Sequence, residues 1–214
     1  MLRLVAPVGP DLLPSLSVSS RLLLIRHGQS TWNAEGRWQG QADPPLSSLG
    51  VQQAQAARDS ITQLNINAVV ASDLERARHT AELIAPPELE ISVHEGLRER
   101  HAGEWTGLTH DEIAADYPDW IETQRRPPGF EKDEPLLGRV IPVLVDLAIA
   151  APTTLVVTHG GVIRSVEHLL SDIRERVPNL GGRWIRYEDG EFVLEESVLL
   201  FDPNQVEFTV PDQI

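Results

Sequence analysis

The chain has 214 residues, 41% hydrophobic and 23% charged, with a formal charge of −14 at neutral pH. That length builds one substantial domain around its own core, and the absence of cysteine excludes disulfides and thiolate metal sites and fits a reducing compartment, the cytoplasm. The acidity argues against a nucleic-acid partner, whose binders carry a basic face, and no stretch reaches the roughly 18 consecutive apolar residues of a membrane span.

In chain order, residues 1–20 are broken by Pro7, Pro10, Asp11 and Pro14 and read as a flexible leader, with residues 21–214 forming the folded domain. RLLLI (21–25) is a short apolar run of the kind buried on both faces of a parallel sheet, as are NAVVAS (67–72) and TTLVVT (153–158). Between the first two, Ala54, Ala57, Ile61 and Leu64 recur at helical spacing behind Ser47, a plausible N-cap. LERARHTAELI (74–84) predicts a second helix ended by Pro86-Pro87. Thr109 followed by Glu112 is a capping box for a helix that stops at Pro118.

RRPPGFEKDEP (125–135) reads as a surface loop. The next segment has Leu137, Val140, Ile141, Leu144 and Leu147 in helical register, with Pro142 set to kink the helix or delay its start. GVIRSVEHLL (161–170) predicts a further helix, and RWIRYEDGEFVLEE alternates about Asp189-Gly190, a two-residue hairpin signal. The expected fold is therefore a single α/β domain, with a mostly parallel central sheet, helices on both faces and an antiparallel ribbon near the C-terminus. The ribbon's exposed edge offers a pairing surface for a homodimer.

Two of the apolar runs end alike, in His27-Gly28 and His159-Gly160. Ligands of open α/β sheets bind beyond the carboxyl ends of the strands, so one sheet can bring both histidines over one crevice. A glycine after each lets the backbone approach a ligand, and the helix after Gly160 presents free N–H groups to an anion. Arg26 adds a guanidinium suited to phosphate, and Arg76 falls in the first turn of the helix after the 67–72 run. Together these groups describe a pocket for a dianion. Taken singly, each histidine also fits a structural role, Arg76 and Glu99 fit solvated surface charges, and two histidines with an acid fit a metal, although the arginines would repel a cation.

The ordered segments RHGQSTWN (26–33), GRWQGQADPPLSSLGVQQA (36–54), SDLERARHTAE (72–82), LRERHAGEWTGL (97–108) and VVTHGGVIR (156–164) resemble the histidine phosphatase superfamily, also called phosphoglycerate mutase-like. The resemblance implies that His27 is a nucleophile that becomes a phosphohistidine, that Arg26, Arg76 and His159 hold the phosphoryl oxygens, and that Glu99 is the proton donor. It also implies phosphate contacts from Asn33, Gln39, Gly40 and the Gly160 amide. The substrate is then a small phosphorylated metabolite, and the chemistry needs neither metal nor other cofactor. Neutral His27 attacks phosphorus, with its other ring nitrogen donating to a backbone carbonyl. The guanidiniums and a protonated His159 stabilise the transferring group, and the dianion's proximity favours a protonated Glu99.

Phosphatase and mutase share such a pocket. The extra basic segments of the mutase branch are absent, which favours hydrolysis, with mutase-type transfer or a catalytically silent binding protein as alternatives. Where family members often carry glycine-glycine-glutamate-serine, this chain has Gly129-Phe130-Glu131-Lys132, so the cover over the pocket departs from the pattern. Trp32, Trp38, Trp105, Trp120 and Phe130 fall around the proposed mouth. Trp105 and Trp32 are expected to pack loop bases, and Trp38 or Phe130 to touch an organic leaving group.

Overall fold

The computed structural model describes residues 19–173 and 175–211. In chain order the elements are β1 (Ser20–Arg26), α1 (Thr31–Ala34), α2 (Ser48–Thr62), β2 (Ala68–Ala71), α3 (Glu75–Ile84), β3 (Ile91–Val93), α4 (His110–Asp116), α5 (Asp133–Ala150), β4 (Thr153–Thr158), α6 (Gly160–Leu170), β5 (Gly181–Glu188) and β6 (Glu191–Leu199). Six strands form one sheet in the order β3-β2-β4-β1-β5-β6. The first four are mutually parallel, and β5 and β6 are added antiparallel. The expected ribbon is thus the continuation of the main sheet beside β1. Apart from Ser19 and Ser20, which opens β1, the leader lies outside the described residues.

Strand alternation explains why the apolar runs are continuous. Leu23, Ile25, Val69, Ala71, Leu155 and Val157 meet Ala54, Ala57 and Ile61 of α2 and Ala77, Ala81 and Ile84 of α3. Leu22, Leu24, Val70 and Val156 point the other way, onto Leu136, Val140 and Leu144 of α5 and Val162, Ile163 and Val166 of α6. With helices on both faces, the central stretches of the inner strands are apolar on both sides, and polar residues such as Ser20, Arg26, Thr154 and Thr158 fall toward their ends. A third cluster of Trp38, Ala102, Trp105 and Ile113, flanked by Tyr117, Trp120 and Phe130, builds a cap over the strand ends.

Ser47 caps α2 and the Thr109–Glu112 box caps α4 as expected. Asp189 (φ 53°) and Gly190 (φ 87°) both take the left-handed conformation that a tight hairpin turn demands. Three expectations need correction. The 125–135 loop ends at Lys132, because α5 begins at Asp133 with Asp133 and Glu134 in its first turn, where acidic groups favour the helix dipole. The helix also continues through Pro142. Pro142 and Gly138, four residues earlier, are both exposed, so the carbonyl that the proline deprives of a donor can be hydrated. The buried face of α5 is Leu136, Val140, Val143, Leu144 and Ala148, while Leu137, Ile141 and Leu147 lie at its margin.

One buried ion pair seats α6 on the sheet: Arg183 Nε of β5 donates to Glu167 Oε1 at 2.6 Å, with both side chains nearly inaccessible. Removing one partner strands the other charge. Glu167→Ala is expected to lower the unfolding free energy by about 3 kcal/mol, read as a drop in the urea midpoint at unchanged slope.

Candidate active site

Arg26 and His27 leave the end of β1, and His159 leaves the end of β4, its parallel neighbour. Arg76 is the second residue of α3. Glu99 lies in an irregular segment between two short 3-10 turns, Glu95–Leu97 and Gly103–Trp105. All five side chains are buried. The adjacency of β1 and β4 answers why two strand ends each deliver a histidine: their rings meet edge to face with centroids 5.2 Å apart.

His27 is held in one tautomer. Its Nδ1 donates to the Gly28 carbonyl at 2.7 Å, and its Nε2 accepts from Arg76 Nε at 3.2 Å. The backbone around it is pinned, with His27 N–H on Thr158 O and Asn179 Nδ2 on His27 O. Burial, then Arg76, then Arg26 hold the His27 pKa well below the usual 6.5. His159 is also pushed well below 6.5, by burial first and then by Arg76, His27 and Arg26. Neither ring nitrogen of His159 has a hydrogen-bond partner among the described residues. Desolvation and the two guanidiniums thus favour the neutral ring, whereas the protonated His159 is the form expected with the phosphoryl group in transfer.

The guanidiniums are caged by carbonyls. Arg76 donates to Gly40 O at 2.9 Å and Ala42 O at 2.7 Å, with Asp43 Oδ1 at 4.0 Å. Arg26 donates to Val177 O at 2.8 Å, and its Nε has no hydrogen-bond partner among the described residues. Burial lowers both arginine pKa values to about 10, with Glu99 acting in the opposite direction. Each Glu99 oxygen accepts a backbone amide, Oε1 from Arg100 at 2.7 Å and Oε2 from Gly161 at 2.9 Å.

Arg26, His27, Asn33, Gln39, Gly40, Arg76 and Glu99 all line one narrow cavity of about 10 Å³. It is no larger than a single small group requires. Gln39 Oε1 accepts from Ser30 Oγ, and Asn33 Oδ1 from Ser30 N–H. The glycines after the histidines make room for protein atoms. A Cβ on Gly28 would stand 2.6 Å from Gly50 O, and one on Gly160 would press on Arg26 Nη1 at 3.0 Å. The second glycine of the doublet was missed: a Cβ on Gly161 would lie 2.2 Å from Glu99 Oε1.

A chamber of about 570 Å³ adjoins the cavity, sharing Trp38 and Arg100 with it. Arg126, Phe130, Lys132, Asp133, Arg164 and His168 also face it. Trp38 and Phe130 stand where contact with a leaving group was expected, whereas Trp105 is wholly buried in the cap. Helical spacing from Gly161 was the available signal for Arg164. Among the described residues, no cluster of three histidine, aspartate or glutamate side chains is arranged to hold a metal, and the His27 lone pair is engaged by Arg76.

Residues 22–198 match the histidine phosphatase superfamily (branch 1). The chain belongs to the histidine phosphatase superfamily. It is 36% identical over 179 residues to a glucosyl-3-phosphoglycerate phosphatase of Mycobacterium tuberculosis, covering 76% of this chain and 80% of that one. It is 32% identical over 168 residues to a 2,3-bisphosphoglycerate-dependent phosphoglycerate mutase of Methylocella silvestris, covering 71% and 82%. A solved mycobacterial glucosyl-3-phosphoglycerate phosphatase in complex with VO3 superposes with a TM-score of 0.74 at 30% identity, covering 86% of this chain and all of that one. This superfamily of phosphatases and mutases makes the chain an enzyme of phosphoryl transfer, with the fold expected of it.

Two buried neutral histidines have a thermodynamic consequence. The unfolded chain takes up protons near pH 6.5 that folded His27 and His159 refuse, so stability is full above that pH and is lost as pH falls below it. Between pH 6.5 and 5 the unfolding free energy is expected to fall with a slope approaching about 1.4 kcal/mol per pH unit for each histidine. His27→Gln with His159→Gln should flatten that slope in urea titrations. An unchanged slope would contradict the assignment.

Proposed function

We propose that the enzyme hydrolyses small phosphate monoesters through a phosphohistidine on His27, without a metal. The observation that carries this reading is the His27 tautomer: Nδ1 is tied to Gly28 O, which directs the Nε2 lone pair toward Arg76 in a cavity that Arg26 also lines, and among the described residues neither guanidinium donates a hydrogen bond to a carboxylate. Such a pocket is complementary to a dianionic phosphoryl group. As the ester binds, Arg76 exchanges its long contact with Nε2 for a phosphoryl oxygen and frees the lone pair. Nε2 forms a bond to phosphorus while the ester P–O bond breaks, and Glu99 gives its proton to the departing oxygen. Water then attacks the phosphohistidine, Glu99 takes the water's proton, and inorganic phosphate leaves. Arg26, Arg76 and His159, with Asn33, Gln39, Gly40 and the Gly160 amide, hold the group in transfer. His159 gains its proton with the dianion, whose charge offsets the neighbouring guanidiniums.

The chamber accommodates the alcohol part of the ester between Trp38 and Phe130 on one side and cations on the other. Burial and neighbouring guanidiniums lower the pKa values of Arg126 and Arg164, which supports substrates carrying a second anionic group. That same observation supports the second reading, mutase transfer, in which a bisphosphorylated molecule occupies cavity and chamber together. A cytoplasmic location and no nucleic-acid partner complete the proposal, supported by the lack of cysteine and the −14 charge. No helix among the described residues is long and apolar enough to cross a membrane. Pairing of two chains along β6, the outer strand of the sheet, and a leader before residue 21 belong to it as well.

Radiolabelled ester quenched during turnover should leave an acid-labile, base-stable label on wild type and none on His27→Ala, with activity on p-nitrophenyl phosphate lost in parallel. Equal rates for the two proteins would refute the enzyme reading. With 3-phosphoglycerate, inorganic phosphate release is expected whether or not the 2,3-bisphosphate is present. Prompt isomerisation without phosphate release would establish the mutase.

A further inference from the structure

The segment that carries Glu99 has no regular secondary structure from Arg98 to His101, so no helix or strand ladder fixes the backbone from which the carboxyl projects. Side chains take its place: Thr158 Oγ1 donates to Leu97 O at 2.8 Å, Gln41 Nε2 to Glu99 O at 3.2 Å, and one arginine spans three carbonyls of the segment. Arg139, on α5, donates from Nη1 to Gly96 O at 2.8 Å and Arg98 O at 2.7 Å, and from Nη2 to Glu99 O at 3.1 Å. The same guanidinium meets Glu131 fork to fork, Nε on Oε1 at 2.9 Å and Nη2 on Oε2 at 2.8 Å. All five of its N–H donors are thereby used, the full capacity of an arginine. Glu131 in turn accepts from the His101 amide at 3.1 Å, so the clamp grips the segment on both sides of Glu99. Arg139 and Glu131 line neither the narrow cavity nor the chamber.

We propose that Arg139, fixed by Glu131, is a positioning residue for the Glu99 carboxyl. It sets the backbone of residues 96–99 so that the two amide contacts of the carboxyl, from Arg100 and Gly161, close together. The inference rests on Glu99 being the proton donor. A donor must stand within hydrogen-bond reach of the leaving oxygen, and small displacements of such groups are costly. A lysine can occupy the place of Arg139 and donate to carbonyls, but it cannot make the planar double contact with Glu131.

The experiment compares two esters that differ in their need for a proton. p-Nitrophenolate leaves as a stable anion, whereas the alkoxide of glycerol 3-phosphate must be protonated as it departs. Values of kcat/KM, which report the steps through departure of the leaving group, are measured on both esters for wild type, Arg139→Met, Arg139→Lys, Glu131→Gln and Glu99→Gln. The ratio between the two esters cancels any loss of folded protein. Glu99→Gln is expected to lose about 100-fold or more on the alkyl ester while keeping most of its rate on the aryl ester. Arg139→Met should show the same selective loss, on the order of 10- to 100-fold, with Arg139→Lys and Glu131→Gln intermediate. If Glu99→Gln is selective and Arg139→Met lowers both esters equally or neither, the positioning role is overturned and the donor stands. If Glu99→Gln itself is not selective, the donor assignment fails and takes this inference with it.

Discussion

The site depends on burying two guanidiniums that, among the described residues, donate no hydrogen bond to a carboxylate. Arg26 and Arg76 are almost wholly inaccessible, and desolvation pulls both toward deprotonation. A set of backbone carbonyls orients them, Val177 for Arg26 and Gly40 and Ala42 for Arg76, while the field of Glu99 favours the charged form of both. A carbonyl dipole satisfies an N–H group without cancelling the charge behind it, so the positive potential remains available to a ligand. A carboxylate in the same place would compete directly with phosphate. The same positive potential keeps His27 and His159 neutral and leaves the His27 lone pair on the ring.

Arginines elsewhere in the molecule make the contrast plain. Arg183 is paired with Glu167, Arg98 takes Asp73 in three contacts, and Arg21 meets Glu195 and Glu196. These tie helices, strands and loops together and present little free charge. Arg139 combines both habits, with carbonyls on one side and a carboxylate on the other, as suits a clamp rather than a ligand-binding group. In a chain with net charge −14, this separation gives an anion a destination against the overall field.

The parts of the fold legible in the sequence were those written locally. Strand runs around Leu22–Ile25, Val69–Ala71 and Leu155–Val157, the caps at Ser47 and Thr109 and the turn at Asp189-Gly190 depend on neighbours a few residues away. The parts that escaped depend on distant contacts. β3 is three residues long and exists because Val69–Ala71 offers it an edge. The α5 register was centred on Leu137 and Leu147 because spacing alone cannot say which margin of an apolar stripe faces the sheet. At the site, the paired histidines, Arg26 and Arg76 followed from strand-end logic. Gly161 and Arg139 act on Glu99 across 62 and 40 positions, a relation that no local pattern encodes.

Charge balance joins these pieces into a mechanism. Glu99 is the carboxylate whose field most supports both guanidiniums, ahead of Asp43 at Arg76. A bound phosphoryl dianion takes over that office with twice the charge. Two negative groups facing the same buried cations repel one another strongly in a poorly screened interior, and the relief available to Glu99 is to take up a proton. In the proposed mechanism binding of substrate thereby prepares the acid that the departing oxygen needs, and loss of the leaving group restores the base that the attacking water needs. In that proposed mechanism the proton donor is armed by the charge of the group it helps to transfer, and its accuracy rests on the backbone clamp that fixes its position beside the two guanidiniums.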